Sequence, residues 1–196
     1  MKFKKIITSF VAAALLACPA FGSMASAEFV DDSVKALDYT TSNIGVSDVV
    51  DTSDTASVRG TSAPTSLWDW SNGDYSGSFL PLYRARQVYT NYRFKTGTSK
   101  LDIDMNLYAS VNWTNVRTLT VELYSLEWYG WNCCDTKSFV FTPSSTNHSK
   151  NFSFSDSFTG LTSGKEYYIR FYNDSSYVSG SSSEYAIGCT SFTISV

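Results

Sequence analysis

The sequence is poor in charge, proline and histidine, and each shortage excludes a class of protein. Of its 196 residues, 17% are charged and only 4 are Pro, with a formal net charge of −3. These values exclude collagen-like and proline-rich disordered chains, and they leave no basic excess for binding a nucleic acid. The single His, His148, lies in a polar Ser/Thr-rich segment. A Ser-His-Asp triad is therefore not expected, because its base must be held by an orienting carboxylate.

Aromatic residues, in contrast, are abundant. The chain has 13 Tyr, 13 Phe and 5 Trp, and 43% of its residues are hydrophobic. This content suits one globular domain with appended segments. It also favours a β-rich fold, because aromatic rings pack well on pleated sheets.

The first 27 residues have the features of a secretory signal peptide. Lysines near the N-terminus precede an uncharged run at residues 6–17, and small residues form a cleavage pattern that ends at Ala27. We expect cleavage after Ala27 and secretion to the extracellular space, and the short basic leader is typical of bacteria. In the alternative, Leu15–Cys18 is a lipobox and the protein is lipid-anchored at Cys18. The remaining chain has no apolar run of membrane-spanning length, so no transmembrane segment is expected.

Residues 28–61 differ in composition from the rest of the chain. They hold seven carboxylates against Lys35 and Arg59, with many Ser and Thr and few aromatics. Such a segment buries too little apolar surface to offset its chain entropy. We therefore predict an acidic, Ser/Thr-rich disordered spacer at residues 28–61, followed by one folded domain at residues 62–196.

The domain at residues 62–196 shows the period of two that defines β-strands. Apolar and polar residues alternate through residues 101–113, and the pattern repeats at residues 119–123. Further strands are predicted at residues 83–94, 139–141, 152–154, 167–171 and 185–196. The apolar residues change from odd to even positions, or the reverse, near residue 87 and between residues 189 and 192. This change in the alternation predicts β-bulges. With no helical periodicity, these strands predict an all-β, antiparallel two-sheet sandwich.

A turn-and-strand motif lies near the C-terminus, where Leu161–Phe171 has the sequence LTSGKEYYIRF. This run resembles the Leu-x-Pro-Gly-x-x-Tyr-x-aliphatic-Arg motif that enters the sixth strand of fibronectin type III and related immunoglobulin-like domains. The resemblance implies an immunoglobulin-like sandwich in which Tyr167 forms a tyrosine corner after a turn at Gly164. Similar turns occur in jelly-roll modules of secreted enzymes, so a jelly roll is the alternative topology.

Three cysteines remain once the leader is removed: Cys133, Cys134 and Cys189. Outside the cell, an odd number implies one bridge and one further thiol, or a bridge between molecules. We expect Cys133 or Cys134 to bridge Cys189, with Cys134 and Cys189 as the preferred pair. A vicinal bridge and the absence of any bridge are the alternatives. These residues and one distant His do not supply a zinc site, and we expect neither a metal nor a cofactor.

Two carboxylates, Asp102 and Asp104, lie on one face of a predicted strand, about 7 Å apart by strand rise. This separation is within the range that glycosidases use, so a secreted hydrolase with one of them as acid or base is an alternative function. The preferred interpretation is a solvated outer sheet face, and a calcium site is a further alternative.

The most suggestive segment is Leu126–Asp135. It places Trp128, Tyr129 and Trp131 around a Gly, with Asn132 beside them. Large rings are costly to leave in water. Trp and Tyr stack on the apolar faces of sugars, and they also anchor protein interfaces. In the alternative, the rings simply cap an open end of the sandwich.

These observations predict an exported, non-enzymatic module that binds a glycan or a protein at a cell surface through this aromatic segment. A second aromatic pair, Trp68 and Trp70, is expected to dock the end of the spacer onto the domain. Besides the hydrolase, an inhibitory or structural module acting on a partner protein is an alternative. The sequence leaves the ligand and the oligomeric state open.

Overall fold

The computed structural model describes residues 24–25, 43–48, 50–51, 64–109, 115–143, 151–175 and 186–196. Strands dominate these residues, and a short 3-10 helix spans Trp70–Asn72. No helix in the described part of the chain is long and apolar enough to cross a membrane. The strands, in chain order, are β1 (Met24–Ala25), β2 (Val50–Asp51), β3 (Ser66–Leu67), β4 (Tyr75–Leu82), β5 (Arg86–Tyr89), β6 (Tyr92–Lys95), β7 (Lys100–Ala109), β8 (Arg117–Glu127), β9 (Gly130–Phe141), β10 (Asn151–Thr159), β11 (Glu166–Asn173) and β12 (Ile187–Ser195).

The strands form two sheets. The larger sheet has the order β1-β9-β8-β11-β5-β2, and β6 pairs with both β11 and β3. The smaller sheet has the order β10-β7-β12-β4. Neighbours are antiparallel except in the β1–β9 and β3–β6 pairs. The predicted all-β, antiparallel two-sheet sandwich is confirmed.

The order of the strands distinguishes the two topologies that the sequence allows. Counted from β4, with β5 and β6 as one interrupted strand, the order is 1-8-3-6 in the smaller sheet and 2-7-4-5 in the larger one. In an immunoglobulin domain the first two strands share a sheet. Here β4 and β5 lie in different sheets, so the arrangement is the jelly-roll alternative and not the immunoglobulin-like order.

The core lies between the two sheets, where the alternating residues of the strands meet. In β7, Leu101, Ile103 and Leu107 are buried, whereas Asp104 on the opposite face is exposed. The larger sheet supplies the facing side chains of Leu119, Val121, Leu123, Ile169 and Phe171. Phenylalanines fill the remaining space, among them Phe79, Phe94, Phe139, Phe158 and Phe192. The residues predicted at 110–113, at the end of the alternating run, lie outside the described part.

The structure tests the two predicted β-bulges. The register of β12 shifts between Cys189 and Phe192, as the parity slip predicts. The strand predicted at residues 83–94 breaks between β5 and β6, while the pairing of β5 with β11 at Gln87 is regular. The bulge predicted near Gln87 is therefore wrong. The parity changes there because Tyr83 and Ala85 lie in a turn before β5, in which Arg86 N donates to Tyr83 O at 3.0 Å and Ala85 has φ 60°. The break before β6 lies at Asn91, whose amide donates to Gly45 O at 3.1 Å.

A part of the predicted spacer packs on the domain. Val46 is 5% exposed, and it bridges to Thr90. Asn43 Oδ1 accepts a hydrogen bond from Leu80 N at 2.9 Å, and the hydroxyl of Tyr75 donates to Gly45 O. β2 adds to the edge of β5, and of residues 28–61 only 43–48 and 50–51 are described. Of the predicted leader, only β1 is described, beside β9.

The second aromatic pair docks next to this segment. Trp68 meets Tyr75 and Tyr92 edge to face, with ring centroids 5.0 and 5.4 Å away. Trp70 lies 5.7 Å from the ring of Phe94, and its indole N–H donates to Lys95 O at 3.1 Å. These rings cover the end of the sandwich where the chain enters the domain.

Candidate functional site

The predicted aromatic segment forms the tip of a long hairpin. β8 and β9 have 11 and 12 residues, and Glu127 pairs with Gly130. Trp128 and Tyr129 are therefore the two residues of the turn. Gly130 has φ +117°, a conformation that only glycine adopts without strain.

The two turn residues project into solvent. Trp128 is 94% exposed and Tyr129 is 61% exposed. Their rings contact each other edge to face, with centroids 5.2 Å apart and planes at 89°. Neither ring caps the sandwich, so the core-cap interpretation does not apply to these two residues. An exposed pair of this size is instead a candidate contact surface.

Trp131 and Asn132 differ from the two turn residues. Trp131 is half-buried, and its ring meets Tyr168 edge to face at 4.7 Å. Tyr168 in turn stacks on Tyr124, with planes at 9°. Trp131 thus fixes the hairpin to the outer face of the larger sheet, while Asn132 remains exposed on β9.

A small polar cleft of about 210 Å³ opens beside the base of the hairpin tip. The ends of β8 and β9 form one wall, and the loop between β10 and β11 forms the other. Its polar lining includes Ser125, Glu127, Asp135, Thr159, Thr162 and Lys165. Since Glu127 directly precedes Trp128 in the chain, the cleft lies next to the base of the turn that carries the exposed rings.

The charges of the cleft are paired. Lys165 Nζ donates to Glu127 Oε1, which also accepts from Ser125 Oγ at 2.8 Å. The hydrogen bond from Lys165 lowers the pKa of Glu127, and the same bond raises the pKa of Lys165. Asp135 Oδ2 lies 3.8 Å from Lys137 Nζ. Lys137 does not line the cleft and also lies 3.6 Å from Asp156 Oδ1, so Glu127 is paired within the cleft whereas Asp135 shares its ammonium partner with Asp156.

The loop that lines the cleft is held by the predicted turn motif. Tyr167 is 3% exposed, and its hydroxyl accepts a hydrogen bond from Thr162 N at 2.9 Å. Gly164 has φ +80° and donates its amide to Thr96 O at 2.8 Å. Tyr167 and Gly164 thus fix the position of the Thr162 and Lys165 side chains at the cleft wall.

The predicted disulfide is not present among the described cysteines. Cys189 is fully buried in β12 of the smaller sheet, where its sulfur contacts Ser191 O at 3.1 Å. Cys134 lies on β9 of the larger sheet, and its sulfur donates to Leu123 O at 3.3 Å. The expectation of a Cys133 or Cys134 bridge to Cys189 is wrong, because the two strands belong to opposite sheets and each sulfur points at its own neighbours.

The two carboxylates of the hydrolase alternative lie on the outer face of the smaller sheet. Asp102 is bonded to Lys100 Nζ at 2.7 Å and accepts from Ser157 Oγ. The bond from Lys100 lowers the pKa of Asp102, whereas a general acid must retain its proton near neutral pH. Glu122 is on the other sheet, where it pairs with Arg170 at 2.7 Å.

Metal-ligating residues do not converge in the described part of the chain, where no group of three or more His, Cys, Asp and Glu side chains could hold an ion. His148 and Cys18 lie outside the described residues. Comparison with known proteins gave no match, either to a family model or to a curated sequence.

Sequence reasoning found the tip but missed the cleft. Glu127, Asp135 and Lys165 have no spacing that links them, because the cleft is formed by a hairpin and a loop from distant parts of the chain. The sequence gives one weak indication of the cleft: Lys165 directly follows the turn glycine Gly164. Only the pairing of strands shows that this lysine reaches Glu127.

Proposed function

We propose that the protein is an exported, non-enzymatic binding module that recognises a glycan at a cell surface through the hairpin tip. The observation that carries the proposal is the 94% exposure of Trp128, with Tyr129 beside it. Burial of a solvent-exposed indole ring against the apolar face of a ligand is favourable, and sugars present such faces through their C–H groups. Export follows from the predicted leader at residues 1–27.

The surroundings of the tip support a polyhydroxyl ligand. The cleft next to the rings supplies carboxylate and hydroxyl oxygens that accept hydrogen bonds, and Lys165 supplies a donor. A glycan needs both kinds of contact, because its rings have apolar faces and polar edges. The packing of Trp131 on Tyr168 anchors the β8–β9 hairpin and so positions the backbone of the turn before the ligand arrives.

A protein partner is the second candidate. Trp128 projects so far that a flat ligand would cover only one face of its ring, whereas a pocket in a protein would enclose it. Trp and Tyr are also the residues most often found as anchors of protein interfaces. The experiment that tests the first candidate distinguishes it from this one.

The test uses the chain without residues 1–27, applied to an array of immobilised oligosaccharides. We expect binding by the wild type and a loss of about tenfold or more in affinity for the Trp128→Ala, Tyr129→Ala double variant. Tyr83→Ala is the matched control, since Tyr83 is 48% exposed and outside the hairpin. Equal binding by the double variant and the wild type would refute the proposal. Retention of a surface protein, but of no glycan, through the same two residues would establish the second candidate.

The cellular location of the protein is tested separately. We propose free secretion after cleavage at Ala27, with lipid attachment at Cys18 as the alternative. The intact mass of the exported chain distinguishes them, because a lipid-anchored form begins at Cys18 and carries acyl groups.

A further inference from the structure

The cleft beside the hairpin tip is a second, separate feature of the binding surface. We propose that it is a subsite for one neutral hexose unit, such as the terminal sugar of a glycan whose next unit stacks on Trp128. This inference rests on the proposed function, because it names the part of the same glycan that would bind in the polar cleft. Three properties of the cleft carry it: size, charge and the kinds of hydrogen-bonding groups.

The size of the cleft selects a small ligand. Its volume of about 210 Å³ is below the range of about 300–1,000 Å³ that sites for drug-sized molecules have. A single sugar ring fits this scale, whereas a disaccharide must extend beyond it. One direction in which it can extend is along β8, where Glu127 of the lining is followed by the exposed Trp128.

The charge of the cleft selects a neutral ligand. Glu127 is paired with Lys165, and Asp135 is 3.8 Å from Lys137, which is also 3.6 Å from Asp156. A phosphate, sulfate or sialic acid would meet two carboxylates, and a cationic ligand would meet the ammonium group of Lys165 in the cleft and that of Lys137 beside Asp135. A molecule without charge disturbs neither pair.

The polar groups of the cleft match the hydroxyls of a sugar. Glu127 and Asp135 accept hydrogen bonds, Lys165 donates them, and the hydroxyls of Thr159 and Thr162 do both. Each sugar hydroxyl is likewise donor and acceptor at once. Hydrogen bonds from hydroxyls to carboxylates are also stronger than those between neutral groups, which favours such a ligand over a purely apolar one.

The test is an NMR titration of the chain without residues 1–27 with the methyl glycosides of glucose, galactose and mannose. We expect at least one of them to bind in the millimolar range and to shift the amide signals of Thr162 and Lys165. N-acetylneuraminic acid and glucosamine are expected to bind at least about tenfold more weakly. The absence of any shift with all three glycosides would overturn the inference.

Variants in one loop identify the place of binding. Thr162→Trp fills the cleft and is expected to weaken glycoside binding by about tenfold or more. Ser163→Trp is the matched control, because Ser163 is exposed in the same loop and does not line the cleft. If Thr162→Trp does not fold, Asp135→Asn replaces it and should weaken binding by removing a charged acceptor. Wild-type affinity in the folded cleft variant refutes the subsite.

The two proposals fail in different ways. The Trp128→Ala, Tyr129→Ala double variant should lose oligosaccharides but keep the methyl glycosides, which need the cleft alone. If Thr162→Trp leaves oligosaccharide binding unchanged, the tip proposal stands and the cleft assignment falls. If the double variant leaves it unchanged and Thr162→Trp abolishes it, the cleft is the site and the tip is not.

Discussion

Trp128 and Trp131 stand three positions apart and have opposite environments. Trp128 is almost fully exposed at the turn, whereas Trp131 packs on Tyr168 over the larger sheet. The difference arises because Trp131 is paired in β9, opposite Leu126, while Trp128 is in the unpaired turn. The role of an individual ring therefore depends on its place in the register and not on its residue type.

At the residue scale, Tyr167 provides a first prediction. Its hydroxyl is the acceptor for Thr162 N, so Tyr167→Phe leaves a partly buried amide without that partner. We expect a loss of about 1 kcal/mol in the free energy of unfolding, measured by urea denaturation. Tyr83→Phe, at an exposed tyrosine, is the control and should change it by less than about 0.5 kcal/mol. Equal losses of stability in the two variants would contradict a structural role for the Tyr167 hydroxyl.

A second prediction at this scale concerns the thiol of Cys134. Although the residue as a whole is exposed, its sulfur points back at Leu123 O, and burial raises the pKa of the thiol to about 11. Thiolate is the reactive form. The rate of alkylation at Cys134 should therefore continue to rise through pH 9 and 10, where the rate for an ordinary thiol, with a pKa of about 8.5, levels off.

Peptide mass spectrometry after timed iodoacetamide treatment measures this rate for each cysteine. Cys189 is the internal control, since it is fully buried and burial raises the pKa of its thiol as well. It should react only after unfolding. A Cys134 rate that levels off near pH 8.5, or a Cys134–Cys189 peptide joined by a disulfide, would contradict the geometry of the two sulfurs.

At the element scale, the β8–β9 hairpin is the structure that carries the candidate site. Its strands pair from Arg117 and Phe141 to Glu127 and Gly130, with one register shift between Leu123 and Tyr124. β8 also pairs with β11 as far as Ser125, opposite Tyr167, so the turn begins only two residues beyond the part of the hairpin that the third strand supports. The turn itself depends on a single residue, Gly130, whose φ is positive.

Gly130→Ala is therefore expected to destabilise the protein by about 1–2 kcal/mol, because a Cβ is strained at this φ. The added methyl group meets no atom within 4 Å, so backbone strain is the only cost. Gly97→Ala is the matched control: its Cβ also meets nothing within 4 Å, and no positive φ is required there. Thermal unfolding of the two variants gives the comparison, and equal melting temperatures would contradict the turn geometry.

At the scale of the whole molecule, the sandwich is completed by chain that precedes the predicted domain boundary. Residues 43–48 pack on β4 and β5, with Val46 buried and Asn43 bonded to Leu80. The composition of 28–61 is polar on average, but its few apolar residues are enough to hold one short stretch against the sheets. The folded unit therefore includes residues on both sides of residue 62.

The last prediction compares a chain that begins at residue 42 with one that begins at residue 62. The longer chain should be more stable by about 2–4 kcal/mol in urea denaturation, from the burial of Val46 and the hydrogen bonds of Asn43 and Gly45. A chain that begins at residue 42 with Val46→Ser should lie between the two. Identical midpoints for all three would show that the segment contributes nothing to folding.

The resemblance of Leu161–Phe171 to immunoglobulin-like domains predicts the local turn but not the order of the strands. The turn and the Tyr167 bond have the expected local form, while the strand order is that of a jelly roll. A turn motif is set by a dozen neighbouring residues. Strand order is set by which faces meet across the core, and the same turn can enter either topology.

The sequence by itself determined the two-sheet sandwich, most of its strands and the position of the aromatic segment, because alternation and ring content are local properties of the chain. It did not determine β4 or the exposure of Trp128. Tertiary structure alone decided the strand order, the separation of Cys134 from Cys189, and the cleft that joins Glu127 to Lys165. These three features depend on contacts between residues far apart in sequence. The physical reason is that alternation fixes which side of a strand faces the core, but not which strand becomes its neighbour.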